Sequence, residues 1–226
     1  MGNRLFKIAT RLLISFCLII SIWAVPGCGD NKHPAYDEVI ISGKTLKFGM
    51  TEKEITSLFG KANDRSEEYA NKVVLTYKGF FSFLGFRVSS FSLTVFEDKN
   101  DADSKSVKNR GLSRILIDMP KATENVFAVR FEKAYGKYTK SDKNHLSGAH
   151  GTPSYSYRYY PEAAALSTLD KSIAEKIDTL YASLKYETSL FIPQLSDWVI
   201  AGSESSPGCT FDISGHKAAI YNRCVK

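Results

Sequence analysis

The sequence predicts an α+β protein built of antiparallel sheets, with a short helix in its first unit and a long amphipathic helix in its second. Three observations carry this. Phe91, Leu93 and Val95 alternate with Ser90, Ser92 and Thr94, the period-two pattern of a strand with one wet face. Thr51 and Glu54 stand at capping-box spacing in "GMTEKEITSLFG", which marks the start of a helix. Leu166, Leu169, Ile173, Ile177, Leu180 and Leu184 recur at steps of three and four, one apolar stripe of a longer helix.

The opening of the chain is of another kind. Arg4, Lys7 and Arg11 precede "LLISFCLIISIWAV", an uncharged run of about 14 residues from Leu12 to Val25. A bilayer-spanning helix needs roughly 20, and Pro26-Gly27 breaks the run. Residues 1–27 therefore read as a cleaved export signal, a charged region followed by an apolar one. Val25-Pro26-Gly27-Cys28 resembles the bacterial lipobox, with an aliphatic residue at −3, a small one at −1 and the cysteine whose sulfur takes a diacylglyceryl group. The resemblance implies lipidation at Cys28, and several acyl chains at about 0.8 kcal/mol per buried methylene make a stable anchor. The other reading is an ordinary secretory signal with a chance cysteine. Gly29, where an inner-membrane retention signal would have aspartate, favours the periplasmic face of the outer membrane.

Removing the three signal cations from the 30 basic residues leaves 27 against 24 acidic ones, a net charge of +3 rather than +6. So small and interspersed an excess carries no nucleic-acid interface. About 200 residues remain, enough for one large domain or two small ones. Residues 28–37 read as a tether, 38–100 as a first α+β unit, 101–111 as a polar linker and 112–226 as a second α+β unit.

In the first unit, "EVIISGKTLKFG" predicts a hairpin turning at Ser42-Gly43. Glu52 to Phe59 is the capped helix, with Ile55, Leu58 and Phe59 on one face and Gly60 as its stop. Strands are expected at Lys72 to Tyr77 and Arg87 to Glu97. Between them, Phe80, Phe81, Phe83, Leu84 and Phe86 are open to two readings: the strands' contribution to the core, or an exposed patch that meets a partner. The order of "GMT", "EI", "LFG" and a strand ending "SLTVFED", over Leu46 to Lys99, resembles the outer-membrane lipoprotein assembly factors of the BamE/SmpA type and the related repeat of a secreted beta-lactamase inhibitor. Gly49, Met50, Thr51 and Gly60 are its most specific residues. The resemblance implies a small α+β module that works by binding proteins.

In the second unit, "SRILIDM" predicts a strand, "ATENVFAVRFEKAYG" a helix and Ser154 to Tyr160 a strand with Tyr155, Tyr157 and Tyr159 on one face. That row is either a binding surface or an ordinary amphipathic sheet face. The long helix is expected over Glu162 to Tyr186, followed by short strands near Ser189 to Ile192 and Trp198 to Ala201. The chain then closes in a hairpin around Ser214 to Lys217. A turn centred between His216 and Lys217 sets Cys209 opposite Cys224, so an oxidising compartment predicts a cross-strand disulfide worth about 3 kcal/mol. Metal ligation or a redox pair are the rival readings for these two cysteines.

Enzymatic constellations are absent from the sequence. It has no G-x-S-x-G elbow, phosphate loop, H-E-x-x-H or dinucleotide fingerprint. His33, His145, His150 and His216 are the only histidines, and His145 with His150 makes a weak metal pair beside the reading of a solvated loop. No catalytic residue, metal or cofactor is expected. The expected function is a non-enzymatic lipoprotein that binds and neutralises a protein partner, as an immunity protein does a periplasm-acting toxin such as a phospholipase. The alternative is an accessory factor in outer-membrane protein assembly or envelope maintenance. The expected contact residues are Phe80, Phe81, Phe83, Phe86, Tyr155, Tyr157 and Tyr159.

Overall fold

The chain enters the fold at Tyr36 and runs at once into a tight hairpin, β1 (Glu38–Ile41) and β2 (Lys44–Lys47). Ser42 and Gly43 both take positive φ, 50° and 74°. This is the two-residue turn whose twist matches that of the flanking strands. The computed structural model describes residues 36–68, 71–97, 109–140, 144–147, 153–184, 194–203 and 208–226, all within one compact unit, His33–Lys226. The expected export signal, Cys28 and most of the expected tether lie outside the described residues, as do His33, His150, most of the expected linker and the strand expected near Ser189 to Ile192.

Helix α1 is Glu52–Phe59. The Thr51 hydroxyl accepts the Glu54 amide at 3.2 Å, and the Glu54 carboxylate accepts the Thr51 amide at 2.7 Å, so each side chain satisfies the other residue's free backbone donor at the helix start. The next strands are β3 (Asp64–Glu68), β4 (Lys72–Phe83), β5 (Phe86–Phe96) and β6 (Gly111–Met119). Helix α2 (Glu124–Tyr135) follows, then β7 (Tyr138–Lys140), β8 (Asn144–Ser147) and β9 (Pro153–Pro161). Helix α3 (Lys171–Ala182), β10 (Asp197–Ser203), β11 (Cys209–Ser214) and α4 (His216–Ile220) complete the chain. Among the described residues nine strands form one antiparallel sheet in the order β3-β4-β5-β6-β11-β10-β9-β7, with β8 also on β9. The sheet runs unbroken from β5 to β6, across the boundary expected between the two units.

The core lies on one side of this sheet. Tyr77, Phe91, Ile117, Phe211, Ile200 and Tyr157 are register partners in one row across six strands. From α1, Phe59 packs on Tyr77 and Phe91, with ring centroids 5.6 and 5.1 Å away. From α2, Phe127, Phe131 and Tyr135 project at every fourth residue onto Phe211, Tyr159 and Trp198. Val39, Ile41, Leu46 and Phe48 fill the centre of the same layer. Each such side chain taken from water contributes on the order of 2–3 kcal/mol.

The hairpin and α1 are fixed to the sheet through backbone. The Gly49 amide donates to the Leu112 carbonyl at 2.9 Å, and the Leu112 amide to Met50 at 2.7 Å. Gly111 has φ +67°, and a Cβ there would lie 2.4 Å from the Gly49 carbonyl oxygen. The C-terminal π-turn, Tyr221–Val225, clasps the same place. Asn222 Nδ2 donates to Asp37 and to the Phe48 carbonyl, both at 2.8 Å, and Arg223 donates to the Gly49 carbonyl at 3.2 Å.

Several expectations are corrected. Strand β4 continues through "KGFFSF", and the turn falls at Leu84-Gly85, so the phenylalanines belong to paired strands. The long helix begins only at Lys171, because Asp170 caps the Ser172 amide and the preceding residues form two 3₁₀ turns, Glu162–Ala164 and Leu166–Thr168. Ala165 pairs with Gln194 as an isolated bridge, which holds it extended and unable to continue a helix. The closing hairpin is replaced by α4 and the π-turn. Strand β11 already has β6 on one side and β10 on the other, so no edge is left for a returning strand. Cys209 sits at the start of β11 and Cys224 beyond its far end, and both are free thiols. Strands β3, β7 and β8 were not expected, and no helix among the described residues is long and apolar enough to cross a membrane.

Two predictions follow from this packing. Gly111→Ala forces the Gly49 carbonyl away from β6 and should lower the unfolding free energy by about 2–3 kcal/mol, read by denaturant melts. The His216 ring, between Phe96 and Tyr181, is pulled down to about 3 by burial and then by Arg110, Arg114 and Lys72. In the unfolded chain it ionises near 6.5, so proton uptake favours unfolding below that pH and stability falls as pH drops from 6.5 towards 3. His216→Gln should flatten that part of the stability profile; an unchanged slope would assign the acid sensitivity to other groups.

Candidate binding surface

Strand alternation sends every second residue of these strands away from the core. Thr76, Ser92, Leu116, Asp212, Val199 and Arg158 form one row of register partners across β4, β5, β6, β11, β10 and β9. The neighbouring row is Lys78, Ser90, Asp118, Thr210, Ala201 and Ser156. These residues are half-buried or exposed, and none belongs to the hydrophobic core. At about 4.8 Å between strands, the face is roughly 25 Å wide.

Many of its polar side chains are tied to one another. The Arg114 guanidinium grips Asp212 through two bonds, at 2.8 and 2.5 Å, which pushes Arg114 above its ordinary value. The Asp118 carboxylate accepts Ser90 at 2.8 Å on one oxygen and Thr210 at 3.2 Å on the other. Thr76 and Ser92 hydroxyls bond at 3.0 Å. Asp197, 9% exposed, accepts the Tyr160 hydroxyl at 3.0 Å and faces Arg158 at 3.4 Å. Burial nevertheless holds its carboxyl above the ordinary range. Each exposed ion pair adds at most about 1 kcal/mol of stability, but together they fix the positions of the side chains.

At one end of this face stands Phe80, 86% exposed. It lies at a register shift between β4 and β5, and the Arg87 guanidinium sits 4.7 Å from its ring centroid. Arg87 falls between buried Phe86 and Val88, so it and the ring beside it lie on the uncovered side. The other expected contact residues are placed differently. Phe81 is half-buried against Phe59 and Phe91. Phe83 and Phe86 are inside the core, stacked on Phe211 and Phe127. Tyr159 is fully buried, while Tyr155 and Tyr157 continue the core face as half-buried residues, the Tyr155 hydroxyl lying 3.0 Å from the Cys209 sulfur. The tyrosine row is thus the end of the packed layer, and of the phenylalanines only Phe80 offers a full ring to solvent.

Burial raises both Cys209 and Cys224, which disfavours their nucleophilic thiolate forms. Among the described residues no group of three His, Cys, Asp or Glu side chains could hold a metal ion. His145 lies on β8. The sequence pointed to the wet face through Ser90, Ser92 and Thr94, but Leu116, Asp118, Asp212 and Arg158 joined it only through pairing between distant strands. No protein family matches the chain, and neither a curated protein nor a solved structure does so.

Proposed function

We propose that this chain is a lipid-anchored protein of the periplasmic face of the outer membrane that neutralises a protein partner by docking it on the uncovered face of the sheet. One observation carries the reading: a six-strand, largely polar face on which many side chains are held in place by ion pairs and hydrogen bonds. A surface already ordered loses little conformational entropy when it is covered, which suits a tight complex formed without rearrangement. Its width of roughly 25 Å across six strands is on the scale of the ~800 Å² patch that each partner gives to an interface of standard size. The export signal, the lipobox-like Val25 to Cys28 and the absence of a catalytic motif in the sequence agree with an anchored inhibitor. A toxin that acts in the periplasm is the partner this reading expects.

A soluble form beginning at Gly29 should capture one partner protein from periplasmic extract or from the products of neighbouring genes, and should abolish its toxicity. Leu116→Arg, at the middle of the face, should lose that capture while keeping the melting temperature. Capture of outer-membrane assembly components would replace neutralisation with an accessory role in assembly, and capture unaffected by Leu116→Arg would move the contact off this face. Separately, Cys28→Ser should abolish palmitate labelling of the full chain and release it from the membrane fraction.

A further inference from the structure

Phe80 and the charges around it constrain the chemistry of that partner, an inference that rests on the binding function proposed above. On the uncovered face three acidic groups are already engaged, Asp212 with Arg114, Asp197 with Arg158 and Asp118 with Ser90 and Thr210, while Asp64, the register partner of Thr76 on the edge strand, is exposed. Lys78 and Arg87, flanking Phe80, have no carboxylate partner among the described residues. Among the described residues Phe80 is the one phenylalanine left in water, and it stands beside two cations without a carboxylate partner. Arg87 also fixes the ring by lying against it. We propose that the Phe80 corner is the energetic centre of the interface and that it enters an apolar pocket rimmed by carboxylates on a protein partner. An aromatic anchor in a desolvated pocket, ringed by weaker contacts, is the usual anatomy of a hot spot. Lys78 and Arg87 gain counter-charges there that their own fold withholds.

The position of the corner favours a protein over a lipid surface. The chain enters the fold at Asp37, which Asn222 holds close to Gly49 and the Leu112–Val95 end of the sheet. Phe80 and Arg87 lie towards the other end, about 25 Å away along β5 at ~3.3 Å per residue. The corner thus lies at the far end of the sheet from the point where the chain enters the fold. A lone aromatic ring also gives little bilayer affinity without a neighbouring apolar surface.

The form beginning at Gly29 keeps the whole unit His33–Lys226 that holds the core, and it is used with Phe80→Ala, Arg87→Glu and Lys78→Glu. All three should melt like the parent, because these side chains are exposed. The partner captured by the parent form is identified, purified and titrated against each variant. Phe80→Ala should weaken binding by roughly 30-fold or more, and the charge reversals should slow association and remove most of its salt dependence. A partner bound equally by the parent and all three variants overturns this inference and leaves the binding function standing. A parent form that captures no protein removes both. Vesicles of phosphatidylglycerol and phosphatidylethanolamine are tested in parallel, and flotation of the parent form that Phe80→Ala abolishes would assign the corner to a membrane and overturn the proposal.

Discussion

The arrangement depends on a place where two backbones meet with no side chain between them. The Gly49 carbonyl lies where a Cβ of residue 111 would be, and reciprocal hydrogen bonds join Gly49 and Met50 to Leu112. This contact turns the β1–β2 hairpin and α1 into a lid on the sheet. The lid brings Phe48 and Leu46 over the core, sets Phe59 on Tyr77 and Phe91, and offers the Phe48 and Gly49 carbonyls to Asn222 and Arg223 at the chain's end. Covering one side of the sheet in this way leaves the other side to solvent, the face that the proposed function uses.

How much of this was legible in the sequence follows from the range of each interaction. The Ser42-Gly43 turn and the Thr51–Glu54 cap are decided within four residues, and both were readable. So was the alternation in β5, which announced a wet face. The rest was decided by partners far along the chain. Residues 162–169 carry a helical stripe, yet Ala165 is taken by Gln194 and Asp170 starts a new helix, so the stripe is buried through two 3₁₀ turns instead. Cys209 and Cys224 look like facing residues of a hairpin only while β11 is imagined at an edge. Placed between β6 and β10, that strand has both flanks filled. Of the residues expected to touch a partner, burial set aside Phe83, Phe86 and Tyr159, because pattern alone does not distinguish an aromatic row that faces a helix from one that faces water.

The two sides of the sheet divide the work by chemistry. The inner side is aromatic and aliphatic, and close packing of Phe127, Phe131, Trp198 and Phe211 specifies the fold. The outer side carries largely polar side chains, with Arg114 paired to Asp212 and Arg158 to Asp197. On the binding function proposed above, such a face presents a fixed pattern to a partner, with selectivity assigned to the Phe80 corner and fit to the remaining face.

The position of β11 has a temporal consequence. The strand at the middle of the sheet is the last one made, and β6 pairs with it across a separation of nearly a hundred residues. Until the end of the chain is present, the β3–β6 portion ends in an open edge and Trp198 and Phe211 cannot meet α2. Contacts this distant in sequence close slowly. A chain whose sheet cannot close before its C-terminus appears stays loose while it is being made, which is the state a polypeptide needs if it is to be threaded through a narrow translocation channel before it folds.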